Sequence, residues 1–116
     1  MKQYNWNDVP GEQLNARTHR QMIHGETITI ARLRLGKGAV VPMHHHINEQ
    51  ITMLESGKLR FEIAGEETIL TTGEALTIPP SAPHTVEALE DSVAVDVFSP
   101  VREDWIRGDD AYLREK

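Results

Sequence analysis

Residues 38–57 read GAVVPMHHHINEQITMLESG and contain three consecutive histidines. Side chains alternate between the two faces of an extended strand, so His44 and His46 would share one face, about 7 Å apart, and His45 would point away. Two imidazoles on one face can bind the same metal ion. The alternative explanation is a solvated surface patch or a leftover affinity tag. The run is internal and closely follows Pro42, which favours the metal site.

The rest of the sequence predicts an all-β fold. Segments rich in Val, Ile, Thr and Leu recur at short intervals between Gly, Pro, Asn and Asp, which is typical of a β-sandwich or barrel. The strand at residues 27–35 changes its apolar phase after Ile30, which predicts a β-bulge. Asp109 could cap a short helix that ends in Arg114 and Lys116. The predicted strands are residues 27–35, 51–54, 58–63, 68–70, 75–78, 85–89 and 93–98.

The composition excludes several classes of function. A chain of 116 residues has room for one hydrophobic core, so we expect one domain over residues 1–116. The formal net charge of -6 and the lack of a Lys/Arg cluster argue against nucleic acid or an anionic membrane as a partner. The chain has no cysteine, so a metal would have to be bound by imidazole, amide or carboxylate groups.

No segment of the sequence predicts export or membrane insertion. The first residues, MKQYNWNDVPGEQ, lack the apolar centre of a signal peptide. No run approaches the roughly 20 apolar residues of a membrane span. We therefore expect a cytoplasmic protein.

Two sets of Gly, His, Gln and Pro residues occur at regular spacings. With x for an intervening residue, they are Gly38-x5-His44-x-His46-x3-Gln50-x6-Gly57 and Gly73-x5-Pro79-x4-His84. The pair resembles the signature motifs of the cupin superfamily, over residues 38–104 of this chain. Conserved-barrel cupins are double-stranded antiparallel β-helices of about this length, and this is the fold that the resemblance implies. Ser81 and Ala88 depart from the second motif, which has glycine and asparagine at these positions.

The cupin resemblance also implies a metal site. Its ligands would be the residues that match the motif: His44, His46, Gln50 and His84. Many cupins have glutamate where Gln50 stands, which makes Glu49 an alternative ligand, but the spacing to Gly57 and the strand alternation favour Gln50. We expect one divalent transition metal ion per chain, and Ni, Fe, Mn, Co or Zn would suit this ligand set. A neutral amide leaves the ion its full charge, which should attract anionic oxygen ligands.

An aspartate interrupts the last apolar strand. Asp96 alternates in phase with Ala94 and Phe98, and an ionised carboxylate in apolar surroundings is costly unless it is paired or neutralised. A salt bridge to Arg102 or to another arginine is the structural explanation.

A functional explanation comes from residues 96–104, DVFSPVRED. They resemble the terminal motif of the pectin-degradation cupins, which convert 4,5-unsaturated uronate monosaccharides from pectin or alginate to open-chain keto acids. The resemblance places Asp96, Phe98 and Arg102 in the active site beside the metal. Asp96 would act as general acid/base, Arg102 as a bidentate fork for the carboxylate of a small anionic sugar acid, and Phe98 as an apolar wall.

Two other functions fit the same motifs. An iron-dependent dioxygenase would use the three histidines and an open face of the ion, and an anaerobic assay would separate it from a ring-opening enzyme. A non-catalytic cupin that binds a sugar acid would need no acid/base. We expect a homodimer, both from the resemblance and because uncovered sheet edges tend to associate.

Overall fold

The computed structural model describes residues 1–114, which form ten strands, two short α-helices and one 3-10 turn at Trp6–Asp8. The strands are β1 Gly11–Asn15, β2 Thr18–His24, β3 Thr29–Leu35, β4 Val40–His44, β5 Glu49–Ser56, β6 Lys58–Ile63, β7 Glu66–Thr71, β8 Ala75–Ile78, β9 His84–Ala88 and β10 Ser92–Ser99. The helices are α1 Glu103–Ile106 and α2 Ala111–Arg114. Neither helix is long or apolar enough to cross a membrane, and residues 1–114 contain no other α-helix.

The strands pair in two antiparallel sheets. One sheet has the order β1-β2-β3-β10-β5-β8 and the other the order β4-β9-β6-β7, so many neighbouring strands are distant in sequence. This arrangement confirms the predicted all-β barrel. The side chains that fill the space between the sheets are Leu35, Ala39, Leu54, Leu59, Phe61, Leu70, Ile78, Ala88 and Ala94.

A second apolar cluster lies at one end of the barrel. There α2 contacts β1 of the larger sheet and β4 of the smaller one, and the buried members of the cluster are Leu14, Ala31, Phe98, Trp105 and Leu113. The predicted C-terminal helix is present as α2, and Asp110 rather than Asp109 immediately precedes it. Its predicted end at Lys116 lies outside the described residues. The sequence did not predict β1, β2 or α1, because their polar residues hide the apolar pattern, and it implied β4 only through the alternation of His44 to His46.

The predicted bulge in β3 was wrong. Both neighbouring strands pair with β3 in unbroken register. Ile30 lies on the outer face, where it is directly opposite Ile23 on β2 and Val97 on β10. Cross-strand pairs of this kind stabilise a sheet. Ile30 therefore interrupts the apolar alternation because it packs beside apolar residues on the outer face, and not because the backbone of β3 is irregular.

Ser81, which stands where the cupin motif has glycine, connects two loops of the predicted metal site. Ser81 has φ +63°, in the left-handed region where glycine is the usual residue. Its backbone N–H donates to the carbonyl oxygen of His46 at 2.8 Å. The loop before β9 is thereby fixed against the loop after β4, and each of these loops leads to a histidine of the predicted metal site.

Candidate metal centre

Three of the predicted ligands converge at the helix-covered end of the barrel. His44 ends β4 and lies opposite His84, the first residue of β9, and His46 follows in the loop after β4. One ring nitrogen from each lies within 4.8 Å of the others. His45 is exposed, as the strand alternation predicts.

Each of these rings is oriented by a backbone carbonyl. A carbonyl oxygen can only accept a hydrogen bond, so the Nδ1 atom that contacts it must carry the ring proton. Nε2 of each neutral ring is then unprotonated and able to bind a metal ion, and the ring is held in the way that is common for histidines in metal sites. The three bonds are His44 Nδ1 to Pro42 O at 2.8 Å, His46 Nδ1 to Asn48 O at 3.1 Å and His84 Nδ1 to Ala82 O at 2.8 Å.

Burial keeps these histidines neutral. Removal from water disfavours the imidazolium form, which lowers the pKa of His44 and the pKa of His46 to about 4. The pKa of His84 is lowered by burial as well. The positive charge of Arg102 acts in the same direction on all three. The rings are therefore in the ligating form at neutral pH.

Gln50 supplies the fourth predicted ligand position. Its side chain is buried, and its Oε1 lies 3.1 Å from Nε2 of His46. Its Nε2 donates to Oγ1 of Thr52 at 2.9 Å. Glu49 is exposed on the other side of β5, so the structure brings Gln50, and not Glu49, to the histidines.

The pair formed by His46 and Gln50 tests whether the site fits a metal ion. The proton of the neutral His46 ring is on Nδ1, so the Nε2 lone pair faces the amide oxygen of Gln50 with no proton between them. A second proton on the ring is opposed by the low pKa. A cation bound by both atoms would remove the repulsion between these lone pairs. Three imidazole nitrogens and one amide oxygen thus fit one divalent transition metal ion.

Asp96 points into the barrel from β10. It is 7 % exposed, and its Oδ1 accepts a hydrogen bond of 2.6 Å from the hydroxyl of Thr52. Burial raises its pKa to about 6, against the opposing effects of Thr52, Gln50 and the charge of Arg102. The salt bridges of residues 1–114 do not include Asp96, so the alternative explanation of this residue as half of an ion pair was wrong.

Arg102 is also buried at the site, but its fork is already bound. Nε donates to Oδ1 of Asp104 at 2.9 Å, and Nη2 donates to Oδ2 of the same carboxylate at 2.8 Å. Nη2 also donates to the hydroxyl of Tyr112 at 3.1 Å. The guanidinium lies over the rings of Trp105 and Phe98, at 3.9 Å and 4.6 Å. The expected free bidentate fork is therefore absent in this conformation, because Asp104 fills it.

Phe98 forms a wall between the metal centre and the helices. It is 2 % exposed, and its ring lies edge-on to His46 at 5.6 Å and to Trp105 at 5.1 Å. Its role as an apolar wall toward a substrate stays a prediction.

Helix α2 covers the mouth of the barrel above the histidines. The ring of Tyr112 stacks on His44 with 4.6 Å between centroids, and its hydroxyl accepts from Trp105 Nε1 at 3.3 Å. The cavity beneath α2 has a volume of about 50 Å³, and its lining includes Gln50, Thr52, Asp96 and Tyr112. That volume is enough for a few water molecules.

Charged side chains hold α2 in this position. Asp110 accepts from Arg20 at 2.8 Å, and both side chains are 2 % exposed. Arg114 pairs with Asp110 at 2.9 Å and with Glu12 on β1 at 3.0 Å. The sequence did not identify this cover. The signal that could have found it is the aromatic and apolar content of an otherwise polar tail, namely Trp105, Tyr112 and Leu113.

Comparison with known proteins identifies the family. Residues 31–99 match the model of the family described as "Cupin domain". The chain belongs to the cupin family. A curated relative of this cupin is the pectin degradation protein KdgF of Dickeya dadantii (strain 3937), which is 34 % identical over 102 residues, or 85 % of this chain and 93 % of the relative.

Two solved cupin structures are also similar to this cupin. KdgF from Halomonas sp. superposes with a TM-score of 0.80 and 28 % identity, over 85 % of this chain and 93 % of that protein. An RmlC-like cupin from Shewanella frigidimarina NCIMB 400 superposes with a TM-score of 0.83 and 24 % identity, over 88 % and 93 % of the two chains. The second likeness concerns the fold alone.

The chemistry available to this cupin follows from the site. Its donor atoms suit a divalent ion, and a carboxyl group with a pKa of about 6 lies one hydrogen-bond relay away, through Thr52, from the amide of Gln50. A group with a pKa near the working pH can both donate and accept a proton. The donor set and the carboxyl group of Asp96 thus line the same cavity, as a combination of Lewis-acid and acid/base chemistry would require.

Proposed function

We propose that this cupin is a metal-dependent enzyme that opens 4,5-unsaturated uronate monosaccharides, from pectin or alginate, to open-chain keto acids. The observation that carries the proposal is the position of Asp96, a buried carboxyl group with a raised pKa that is hydrogen-bonded through Thr52 to a predicted metal ligand. The identity of 34 % with a pectin degradation protein supports it. The direct test is an anaerobic assay of metal-loaded protein with unsaturated uronates.

The proposed reaction needs one proton donor and no redox partner. A proton is added to C4 of the substrate, and a water oxygen bonds to C5, which gives a hemiketal. The bond between C5 and the ring oxygen then breaks to leave a ketone, and C1, now a hydrated aldehyde, releases water. The composition of the sugar is unchanged. A bound divalent ion would supply polarisation of the substrate oxygens.

Asp96 is the residue that moves the proton in this scheme. Its pKa of about 6 lets it transfer a proton to C4 and recover one from water at neutral pH. Thr52 holds one oxygen of the carboxyl group, which leaves the other for the substrate. Phe98 helps to exclude bulk water, since it is almost fully buried between the site and the helices.

Arg102 would bind the substrate carboxylate, though not through the bidentate fork that the sequence predicts. Asp104 occupies Nε and Nη2, while Nη1 has no hydrogen-bond partner among residues 1–114. Attraction by the guanidinium charge and a bond from Nη1 are therefore the contacts that we assign to it. A second bond from Nη2 requires Tyr112 to move away.

Substrate access requires α2 to move. Pockets for small molecules usually measure about 300–1,000 Å³, whereas the cavity beneath α2 is about 50 Å³. Displacement of Tyr112 and Leu113 would enlarge it, because both residues line the cavity. The same displacement would free the Arg102 Nη2 atom that Tyr112 now binds.

The movement of α2 leads to a testable prediction. Arg114→Gln removes the ion pairs with Glu12 and Asp110, and partly exposed pairs contribute about 0.2–1 kcal/mol each. Because two pairs are lost, we expect a chelator to remove bound metal about two- to thirtyfold faster from this variant than from wild type. Stopped-flow measurement of metal release checks this.

Arg60→Gln is the matched control for charge, since Arg60 pairs with Glu87 on the four-stranded sheet. It should release metal at the wild-type rate. Equal rates for the two variants would show that α2 does not limit access to the histidines.

A further inference from the structure

We propose that Thr52 is a positioning residue that fixes the orientation of the Gln50 amide, so that the amide oxygen faces the three histidines. This inference rests on the metal site within the proposed function, and not on the reaction with uronates. Thr52 follows Gln50 by two residues on β5, and both side chains point inward. It is 1 % exposed and lies opposite Asp96 in the pairing of β5 with β10.

The hydroxyl group of Thr52 has one proton and can give it to one partner only. The Asp96 carboxylate accepts that proton, with 2.6 Å between Oγ1 and Oδ1. Toward Gln50 the hydroxyl can then only accept, so the atom 2.9 Å away must be the amide nitrogen. The amide oxygen is thereby directed to the opposite side, where it lies 3.1 Å from Nε2 of His46.

The alternative orientation of the amide would block the site. A rotated amide would direct its NH2 group at the Nε2 lone pair of His46, which would form a hydrogen bond and occupy a ligand atom of the metal. The rotated amide would also place its oxygen against the lone pairs of the Thr52 hydroxyl. Thr52 therefore excludes the one side-chain rotation that would hide both the His46 nitrogen and the Gln50 oxygen from an ion.

The consequence concerns metal affinity. An isosteric replacement without the hydroxyl, Thr52→Val, removes the acceptor 2.9 Å from the amide nitrogen and leaves only the more distant Asp96 carboxylate to favour this orientation, so the ligand set is formed less completely in advance. Losing a residue that orients a metal ligand typically lowers metal affinity about 10- to 100-fold. We expect a loss of that size, measured by titration of the metal-free protein with Co²⁺ and followed by its visible absorption.

Thr52→Ser is the conservative control. Serine keeps the hydroxyl at the same position on β5, so Co²⁺ affinity should return to within a few-fold of wild type. If Thr52→Val does not fold, as judged by circular dichroism, Thr52→Ala tests the same loss with a smaller side chain.

A double-mutant cycle separates positioning from a general structural effect. Gln50→Ala removes the amide, so adding Thr52→Val to it should cause no further loss of Co²⁺ affinity. An equal loss from Thr52→Val with and without the Gln50→Ala change, or wild-type affinity in Thr52→Val alone, would overturn the proposal. The cycle uses no substrate, so its result supports or overturns the role of Thr52 whether or not the protein is active on uronates.

Discussion

Replacing Asp96 with asparagine should lower the turnover of an unsaturated uronate by about 10²- to 10⁴-fold, because a positioned acid/base contributes that much to a proton transfer. Asparagine has nearly the same shape, and its Oδ1 can still accept from the Thr52 hydroxyl. The bound metal and the KM for substrate should therefore change little. Steady-state kinetics on metal-loaded protein, together with metal analysis, check both parts.

The matched control is Asp91→Asn, since Asp91 is exposed and immediately precedes the first residue of β10. It should keep wild-type turnover. If the Asp96→Asn variant also turned over at the wild-type rate, the acid/base assignment would be wrong.

The same substitution has a pH signature in the metal-free protein. Burial raises the pKa of Asp96 in the folded state, so folding favours its protonated form. The associated stability is complete below the ordinary aspartate pKa of about 3.9 and is lost as the pH rises through about 6. As the pH rises from 4 to 7, the melting temperature of Asp96→Asn should therefore increase relative to that of wild type.

Removing His84 should abolish tight metal binding. His84 is 1 % exposed, and its Nδ1 bond to a carbonyl directs Nε2 toward His44 and His46. Loss of residues that merely orient ligands costs about 10- to 100-fold in metal affinity, and loss of a direct ligand should cost more. Wild type should bind one divalent ion per chain, whereas His84→Ala should bind none at micromolar concentration, as measured by metal analysis after dialysis.

His45→Ala is the internal control for this experiment, because His45 is adjacent to two of the ligands but exposed. It should retain one ion per chain. If the Ala variant is unstable, His84→Asn replaces it, because asparagine keeps more of the side-chain volume. It should show the same loss of metal. Full occupancy in either His84 variant would refute the ligand set.

Much of this site could be predicted because its residues carry local signals. An assumed strand alternation separated His44 and His46 from His45 correctly although β4 ends at His44, and it separates Gln50 from Glu49 on β5. The same alternation places Thr52 on the inner face with Gln50, although the sequence alone did not show a use for it. The inward position of Asp96 followed from its phase with Phe98.

Other features depended on contacts that sequence patterns do not encode. Arg102 and Asp104 are two residues apart, but only the turn into α1 shows that they form a bidentate pair. The ion pair that holds α2 over the site joins Arg20 on β2 to Asp110, 90 residues later. The bulge predicted after Ile30 was wrong for a related reason, because Ile30 lies on the outer face of β3 and is flanked there by Ile23 on β2 and Val97 on β10.

The most direct test of ring opening is to follow the ultraviolet absorbance of the substrate double bond. Metal-loaded protein is mixed, without oxygen, with a 4,5-unsaturated galacturonate or its alginate-derived counterpart. The absorbance should decline far faster than in buffer or with His84→Ala, and the product should be an open-chain keto acid of unchanged mass. Absorbance that persists for every unsaturated uronate, or that declines only when oxygen is admitted, would contradict the proposed function and favour a sugar-acid-binding protein or a dioxygenase.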